Sequence, residues 1–521
     1  MGAAGAHAAV SFVGVAQIAG NGVDSSGLGS GKLEDGVSPR NGLNGFGSGL
    51  AWAGGNTFYA LSDRGPNKVA YTGGTAVDNT TSYPCRFQKF EIALDTTGPR
   101  ANGVFASYAV SATLKGTTLF KTAKGDNYIG ISTAFAHDQT ENLRLDPEGL
   151  RVAPDGSFWV SDEYGPWILH FDAKGNQIGS LAAPAGFRVA KEDSTGAKED
   201  AANTVGRTSN KGAEGLALTP DGNTLAVMMQ SPLLQDSSTN GLFNRLMVYD
   251  LAHPGQAAKQ YVYPLDNNSL TVSEIVAVNN HQFLVDERNG KGGKKGVKLL
   301  YLIDIAQDTL PTDLSATSYD GATKEHGLPG AVLPAGIMPL RKKLFADVGK
   351  ILLAATPWPF SNANGVDSLP DKIEGYAFGP DLPDGRHLLL VANDNDYVTP
   401  DKAAGSGYPD YFFALAVDTA DLRGFELPRF DGPTTGIRQV AGRKPGFEAL
   451  LRGGNLAIAS DVAGDIRLEI LGADGRLVMD LGNRTLVAGT RSIALPAPMG
   501  SGLHILRCSG AVTGSRVLIR P

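Results

Sequence analysis

Acidic residues recur in this sequence at the start of short apolar segments that end in a turn. Glu148, Glu214 and Glu374 are each followed by glycine, then by apolar residues, and by a proline six residues after the glutamate. Carboxylates that lie close together repel one another, and burial raises their pKa values further. A hard divalent cation removes both costs, because carboxylate, carbonyl and water oxygens suit such ions. The sequence therefore predicts a divalent metal site, with Ca²⁺ as the leading candidate and Mg²⁺, Mn²⁺ or Zn²⁺ as alternatives.

Two weaker copies of the pattern extend the series to five. One begins at Ser48 and the other at Ser273-Glu274, so the copies start at positions 48, 148, 214, 274 and 374. Repeats of about 40–50 residues, each a small sheet that cannot bury its own faces, are typical of radial arrays. We therefore expect an all-β fold, a β-propeller of about six blades with insertions in the longer spacings. Glu274 joins the predicted metal ligands.

A second strand follows the turn, and in four of the five copies it ends at further acidic residues. Because the first strand of each propeller blade lines the central channel, these strand-end acids would form a neighbouring ring. They are Asp63, Asp162, Glu163, Asp286, Glu287, Asp394 and Asp396. Asp63, Glu163 and Asp394 are the predicted additional metal ligands. The alternative is structural, with the glutamates and strand-end acids capping backbone N–H groups of adjacent blades.

Two arginines and one histidine are candidates for catalysis beside Glu148. Arg64 and Arg288 each follow a strand-end acid, and a guanidinium group binds phosphate or carboxylate oxygens through paired N–H donors. The alternative is an ion pair with the acid next to each arginine in sequence. His137 lies in a loop before the central copy and is the best-placed histidine for proton transfer.

Several familiar catalytic patterns are absent from the sequence. There is no Gly-x-Ser-x-Gly elbow, no His-Glu-x-x-His, no phosphate-binding loop ending in Lys-Ser or Lys-Thr, and no dinucleotide fingerprint in context. The absence of these motifs favours metal-supported chemistry over a serine nucleophile.

Two lysines, Lys211 and Lys372, lie shortly before a repeat glutamate and could point at the channel mouth.

Composition limits the partners and the location. The 521 residues include 67 Gly and 29 Pro, which favour many short strands, and the net charge is −7, which disfavours nucleic acid and anionic membranes. No apolar run reaches the roughly 18 residues needed to span a bilayer. The two cysteines, Cys85 and Cys508, cannot build a metal site. The first basic residue is Lys32, unlike an ordinary signal peptide, so we expect either a chain whose leader has been removed or a cytosolic chain, and the C-terminal strands favour the former.

The composition changes from about residue 446. Alternating strands such as Ile466–Leu471, Thr490–Leu495 and Gly502–Arg507 follow, without the repeat pattern. We expect two domains, a propeller over 1–440 and a small β-sandwich over 446–521. The second domain resembles the C-terminal sorting or cell-surface β-domain of exported bacterial proteins. That resemblance implies a secreted, periplasmic or cell-surface location and contact with export machinery or the cell surface.

Five motifs of the large domain agree in order and spacing with a known family. They are Ser62-Asp63-Arg64-Gly65-Pro66, Asp146-Pro147-Glu148-Gly149-Leu150, Ser161-Asp162-Glu163-Tyr164-Gly165-Pro166, Ala213-Glu214-Gly215-Leu216-Ala217 and Lys372-Ile373-Glu374-Gly375. Together they resemble the phytase-like family, also called the "esterase-like activity of phytase" domain. The resemblance implies a β-propeller and metal-supported hydrolysis of esters, with phosphate esters as the leading class. The chain departs from the family pattern at Glu274, where the family more often has aspartate after the serine.

The residues and the resemblance together predict a metal-dependent hydrolase of phosphate esters, of phosphatase, phosphodiesterase or phytase type. Its substrate would be a small anionic ester bound at the acidic mouth of the channel. One alternative is a metal-dependent carboxylesterase or lactonase on the same ring, which needs no anion-binding arginines. Another is a calcium-stabilised propeller that binds a polymer or protein without catalysis.

Overall fold

The structure of the protein is a computed structural model of the 521-residue chain. It describes residues 10–18, 20–67, 80–96, 107–133, 142–355, 369–397 and 409–430, then 447–452, 455–460, 464–472, 476–486, 489–495, 502–510 and 514–520. Two compact units, Met1–Phe430 and Asp431–Pro521, make up the chain. The expected domain limits, 1–440 and 446–521, stay predictions.

Five four-stranded antiparallel sheets, the blades, make up the described part of the first unit. From inner to outer strand, blade one is Gly49–Trp52, Thr57–Leu61, Arg86–Asp95 and Ala109–Leu119; blade two is Pro147–Val152, Phe158–Asp162, Trp167–Phe171 and Gln177–Leu181; blade three is Ala213–Leu218, Thr224–Met229, Phe243–Asp250 and Lys259–Pro264; blade four is Thr271–Ala277, Gln282–Arg288, Lys298–Asp304 and Lys342–Asp347; blade five is Ile373–Phe378, His387–Asn393, Asp410–Val417 and Val10–Ile18.

The inner strands close into a ring. Each inner strand packs against the inner strand of the next blade, and the inner strand of blade five returns to that of blade one. The fold is therefore a β-propeller, as the sequence predicts. The expected number of about six blades is corrected to five within the described residues, because each repeat copy forms one blade. The long spacings hold loops and long outer strands instead of a further described sheet.

The first described strand completes the last blade. Val10–Ile18 pairs antiparallel with Asp410–Val417, from Val10 opposite Val417 to Ile18 opposite Asp410. The fourth strand of blade five thus comes from the beginning of the unit. Strand ends from the beginning and end of the unit are thereby joined by backbone hydrogen bonds.

Apolar residues fill each of the five spaces between adjacent blades. Between blades five and one, for example, the rings of Phe46, Phe90 and Phe412 lie 5.1–5.7 Å apart, centroid to centroid. Between blades one and two, Phe87 and Phe158 lie 4.6 Å apart. Aromatic and branched side chains on both faces of each sheet thus supply the burial that a single blade lacks.

The inner strands of blades two to five share a bulge at their beginnings. The pairing register shifts between Pro147 and Leu150, between Ala213 and Leu216, between Val272 and Glu274, and between Ile373 and Gly375. A bulge adds an unpaired residue and redirects a side chain. The repeat glutamates of blades two, three and five lie in these bulges.

The glycine after each repeat glutamate permits close contact between inner strands. A Cβ atom on Gly149 would lie 2.5 Å from the Leu216 Cβ atom and 2.9 Å from the Glu214 carbonyl oxygen. A Cβ atom on Gly375 would lie 2.8 Å from the Gly47 carbonyl oxygen. Any larger residue would push the neighbouring blade away, which explains the Glu-Gly pair.

Short elements connect the blades. Among the described residues, the α-helices are Gly196–Ala202 and Val348–Ala354, the 3₁₀ helices are Leu234–Asp236, Ser238–Asn240, Gly293–Lys295, Leu314–Ala316 and Lys324–His326, and Gly22–Val23 pairs with Gly42–Leu43. The insertion 190–210 is anchored, because Glu199 is buried against Arg207. No helix in the described ranges combines the length and apolar character needed to cross a membrane.

The described strands of the second unit form two antiparallel sheets. One sheet has the order Phe447–Arg452, Asn455–Ser460, Gly489–Ala494, and the other has the order Leu477–Leu486, Gly464–Gly472, Gly502–Gly510, Gly514–Arg520. Leu456 and Ile493 of the first sheet share a hydrophobic cluster with Leu468 and Leu506 of the second. The unit is a small β-sandwich, as predicted. Cys508 in this unit and Cys85 in the propeller are both buried.

Candidate active site

A cavity of about 400 Å³ opens at the end of the ring where the inner strands begin. All five blades contribute to its wall. The charged residues that line it are Asp63, Arg64, Glu148, Glu163, Lys211, Glu214, Arg288, Lys372 and Glu374. Groups separated by more than 300 residues therefore meet in one cavity around the shared axis, as the repeat pattern predicts.

The bulges place one residue per blade at the top of the inner strand. Glu148, Glu214 and Glu374 occupy this position in blades two, three and five. In blade four the bulge residue is Ser273, because Val272 pairs with Glu287 and Glu274 pairs with Asp286. The four bulge residues form the bulge ring, which puts three glutamates at the cavity.

Glu274 does not join the other glutamates. The pairing register puts it one residue past the bulge, at the position that glycine holds in the other copies. Its carboxylate lies 3.0 Å from Arg151 and accepts from the backbone N–H groups of Ile275 and Leu216. Burial raises the pKa of Glu274 to about 7. The expected metal role of Glu274 is therefore corrected to a structural one.

The ends of the second strands form another ring one step outward. Glu163, Gln230, Arg288 and Asp394 lie opposite Asp146, Gly212, Thr271 and Lys372, respectively. Asp63 follows the second strand of blade one in the same place. These five residues, the strand-end ring, include two predicted metal ligands that line the cavity, Asp63 and Glu163.

Three glutamates form the densest acidic cluster on the wall. One carboxylate oxygen from each of Glu148, Glu163 and Glu214 lies within 4.8 Å of the others. The Gln230 amide N–H donates to Glu163 at 2.8 Å and to Glu214 at 2.9 Å. No arginine or lysine of the described residues forms an ion pair with these three. Glu148 is 9% exposed, and its carboxylate has no hydrogen-bond partner within the same residues.

The protonation of this cluster follows from its burial. Burial and the charge of Glu214 raise the pKa of Glu148 well above its usual value, and they act on Glu163 in the same direction. Burial and Glu374 raise the pKa of Glu214 to about 8. Three adjacent carboxylate oxygens, shielded from water and without a basic partner in the described part of the chain, fit a hard divalent cation.

Two further clusters of acidic residues form ion pairs with basic side chains of the protein. Asp63, Asp146 and Glu148 form one group, and Asp63, Asp394 and Asp396 form the other. Arg64 pairs with Asp146 at 2.7 Å, and the Lys372 ammonium lies 3.1 Å from Asp394 and 2.6 Å from Asp396. Asp394 is thus occupied by lysine, which weakens its predicted metal role. Burial raises the pKa of Asp394 to about 7.

The two predicted catalytic arginines both reach the cavity, but their partners lie on other blades. Arg64 binds Asp146 through its side chain and through its backbone N–H. Arg288 pairs with Glu374 and also donates to Ser273. The expected alternative, an ion pair with the acid adjacent in sequence, is therefore wrong for both. The two arginines hold different positions in their blades. Arg288 lies in the strand-end ring, and Arg64 lies one residue beyond it.

Lys211 is the cation of the wall that carries no carboxylate partner within the described residues. Its ammonium group donates to the Gln230 amide oxygen at 2.8 Å. The same amide donates to Glu163 and Glu214 through its nitrogen. Gln230 therefore links the Lys211 ammonium group to the Glu163 and Glu214 carboxylates by hydrogen bonds at the cavity wall.

The remaining strand-end acids have structural partners. Asp162 accepts from the backbone N–H of Asp146 at 2.9 Å, Asp286 accepts from the Tyr376 hydroxyl at 3.3 Å, and Glu287 binds Tyr263 and Lys342. Burial raises the pKa of Asp162 to about 7 and that of Asp286 to about 8. These acids support the blades, Asp162 through a backbone N–H group and Asp286 and Glu287 through side chains.

Some residues of the site escaped prediction, and one predicted residue cannot be placed. His137 lies outside the described residues, so its catalytic role stays a prediction. Gln230 was missed because it is neutral, although it ends the second strand of blade three at the position that Glu163 holds in blade two. Asp146 was missed as a partner, although it begins the Asp-Pro-Glu-Gly motif. Alignment of strand ends between copies would have identified Gln230.

Arg151 joins three blades beyond the residues that line the cavity. Its guanidinium donates to the carbonyl oxygens of Leu50 at 2.8 Å and Ile275 at 2.7 Å, and it pairs with Glu274. Blades one, two and four are thereby joined across the channel. A separate small cavity of about 50 Å³, lined by Arg151 and Phe430, lies at the opposite end of the ring.

Comparison with known proteins assigns the family. The model of the phytase-like family, described as "Esterase-like activity of phytase", matches residues 41–397, more than half of the chain. The chain belongs to this family, and the matched range covers the inner strands of all five blades and the cavity. Family and fold together fit a hydrolase-like propeller.

A curated relative and two solved structures are also similar. An uncharacterized secreted protein of Arthroderma benhamiae is 26% identical over 474 residues, which cover 76% of this chain and 88% of the relative. A gluconolactonase from Xanthomonas campestris has 13% identity and a TM-score of 0.28 over 72% of this chain and 87% of its own. The Cps50 (Swd1) β-propeller domain of Myceliophteria thermophila has 10% identity and a TM-score of 0.29, over 72% and 97%. These TM-scores are too low to indicate an activity.

Proposed function

We propose that the protein is a metal-dependent hydrolase of phosphate esters that works in the cavity at the start of the inner strands. The observation that carries the proposal is the composition of the cavity wall. Three buried glutamates, which have no basic partner among the described residues, and four basic side chains face the same 400 Å³ space. The glutamates suit a cation, and the basic groups suit an anionic ester.

Glu148, Glu163 and Glu214 would hold the cation. A bound divalent cation lowers the pKa of water and polarises an ester oxygen. Gln230 keeps Glu163 and Glu214 oriented through its two amide hydrogen bonds. Glu148, which has no hydrogen-bond partner in the described part of the chain, is free to turn toward a ligand. Its raised pKa means that this carboxylate favours either a proton or a cation.

Arg64, Arg288 and Lys211 would bind the ester. Arg64 is anchored by Asp146 and Arg288 by Glu374, so both guanidinium groups are held in place at the wall. A guanidinium has five N–H donors, and one ion pair leaves others for an ester oxygen. Charge that develops on the phosphoryl oxygens during hydrolysis would meet donors that are already oriented.

A carboxylic ester is the second candidate substrate. The family description itself reads "Esterase-like activity of phytase", and a carbonyl oxygen would use the same cation without the basic side chains. The secreted description of the relative from Arthroderma benhamiae supports a location outside the cell for this chain as well. Contact of the β-sandwich with export machinery or a cell surface remains part of the proposal.

One set of assays tests the proposal. Hydrolysis of aryl phosphate mono-, di- and triesters and of aryl acetates is measured with Ca²⁺, Mg²⁺, Mn²⁺ or Zn²⁺ and with chelator. Wild type is compared with Glu148→Gln and, as a control, with Glu91→Gln, which changes an exposed glutamate of blade one. We expect phosphate ester turnover that chelator and Glu148→Gln abolish and that Glu91→Gln retains. Turnover of acetates alone would establish the second candidate.

Absence of turnover with every metal would overturn the enzymatic proposal. In that case, a melting temperature that falls on chelation in wild type and not in Glu148→Gln would show a cation that stabilises the ring. The protein would then be a binding propeller. A melting temperature that chelator leaves unchanged in both proteins would also overturn the proposal that a cation binds the ring.

A further inference from the structure

The charges around the cavity limit the charge of the ligand. Five carboxylates and four basic groups line the wall, so the lining carries one net negative charge when all are ionised. One divalent cation reverses this to one net positive charge. Three more acids, Asp146, Asp394 and Asp396, bind the lining cations from behind. Counting them makes the surroundings more negative, so with every acid ionised one negative charge is the most that the cavity can balance.

The partners of the four basic groups lead to the same limit on the charge of the ligand. Arg64, Arg288 and Lys372 are each neutralised by a carboxylate. Lys211 donates only to a neutral amide oxygen within the described residues. A second anionic charge would have to displace one of the existing ion pairs, most of whose members are buried. Breaking such pairs is costly because it leaves an uncompensated charge.

Ester classes differ in this charge. A phosphodiester carries one negative charge at neutral pH, whereas a phosphomonoester carries about 1.5–2 because its second pKa lies near 6. Phosphotriesters and carboxylic esters carry none and would leave Lys211 without an anionic ligand. Compounds with several phosphate groups exceed the limit many times over.

We propose that the cavity selects singly charged phosphodiesters over phosphomonoesters and polyphosphorylated compounds, and that Lys211 receives the charge of the diester. The inference rests on the proposed function, since it names the substrate class of the same site. Lys211 lies beside the glutamate cluster through Gln230, so a diester bound to its ammonium would place its phosphorus near the position of the cation.

Kinetics and binding test the inference separately. Hydrolysis of methyl 4-nitrophenyl phosphate is compared with that of 4-nitrophenyl phosphate at pH 8. Binding of dimethyl phosphate and of inorganic phosphate is measured by calorimetry, with and without the divalent metal. Wild type is compared with Lys211→Gln, which removes the charge and keeps the side chain polar, and with Lys174→Gln, which changes an exposed turn lysine far from the cavity in sequence.

We expect kcat/KM for the diester to exceed that for the monoester at least about tenfold. Lys211→Gln should lower kcat/KM for the diester and the affinity for dimethyl phosphate by about tenfold to a hundredfold, mainly through KM. Lys174→Gln should match wild type. A monoester that is hydrolysed as well as the diester would overturn the inference and leave the hydrolase proposal intact. An unchanged affinity of Lys211→Gln for dimethyl phosphate would also overturn it, whereas no hydrolysis of any ester would overturn the proposed function.

Discussion

At the scale of single residues, the chemistry of the site depends on carboxyl groups that hold protons more tightly than usual. Glu214 has its pKa raised to about 8, and Glu148 and Glu163 are shifted in the same direction. A metal ion must displace these protons before it can bind. Metal affinity and protein stability are therefore coupled to pH through the same three side chains.

We predict that affinity for Ca²⁺ rises with pH between about 6 and 8 and levels off above the pKa of Glu214. The affinity rises with pH because protons compete with the metal below the pKa of Glu214. Calorimetric titrations at several pH values, in buffers of different ionisation enthalpy, measure both affinity and proton release. Affinity that does not change over this range would contradict the prediction.

The same shift has the opposite effect on the metal-free protein. A carboxyl group whose pKa rises on folding, from 4.5 to about 8 for Glu214, stabilises the fold fully below the lower value. That stabilisation is lost as the pH rises through the higher value. We therefore predict that chelated protein loses stability between about pH 5 and 8, measured as the urea midpoint at each pH. Saturating metal should reduce or reverse this trend.

Glu274 provides a contrast with the glutamates of the cavity. Glu274→Gln leaves Arg151 without its carboxylate partner in a buried position, and removal of one partner from such a pair costs about 3–5 kcal/mol. We expect a lower free energy of unfolding at pH 8, where Glu274 is ionised, and unchanged metal stoichiometry in the folded protein. Denaturant titration and metal analysis give the two readouts. Loss of the metal in this variant would return Glu274 to the ligand set.

The difference between Glu274 and the other repeat glutamates also shows what sequence could tell about the site. The residue types and spacing predicted that Glu148, Glu214 and Glu374 share a cavity, which the structure confirms. A one-residue change of strand register is invisible in sequence, and it put Ser273 in the bulge and turned Glu274 to Arg151. Side-chain partners on other blades, such as Asp146 for Arg64, depend on the closed ring and could not be predicted.

At the scale of elements, the bulge and the glycine that follows the glutamate act together. The bulge redirects the glutamate side chain, and the glycine lets the next inner strand approach. The sequence predicted most of these strands from alternating apolar residues, and its Glu-Gly pairs marked where they begin. The helix Val348–Ala354 begins only after the strand Lys342–Asp347, because the blade pairing continues through Asp347.

We predict that Gly149→Ala destabilises the propeller by about 1–3 kcal/mol. The added methyl group would lie 2.5 Å from the Leu216 Cβ atom of blade three and would force the two inner strands apart. Gly179→Ala is the matched control, since it lies in the outer strand of the same blade with its nearest contact at 3.8 Å. Urea denaturation should show a lower midpoint for the first variant and little change for the second. Equal midpoints would mean that the glycine has no packing role.

At the scale of the whole molecule, the propeller depends on closure by its first described strand. Val10–Ile18 covers the edge of Asp410–Val417 along its length. An uncovered edge strand offers free N–H and C=O groups to other chains. We predict that removal of residues 1–18 lowers the melting temperature and promotes aggregation, measured by calorimetry and light scattering. Removal of residues 1–9 alone keeps the pairing and should have a much smaller effect.

The blade count shows the limit of sequence at this scale. Five repeat copies were visible, and about six blades were expected, with insertions in the longer spacings. In blade one the second and third strands, Thr57–Leu61 and Arg86–Asp95, are separated by a long connection instead. Whether an insertion forms a sheet depends on whether its strands find an apolar neighbour in the ring, which spacing alone does not reveal.

The guanidinium of Arg151 joins blades one, two and four between the cavity and the opposite end of the ring, and we infer that it closes the axis there. Whatever reaches the glutamates must withdraw along the path by which it arrived, so incoming and outgoing molecules share one opening. We therefore expect released product and fresh ligand to compete for the same passage.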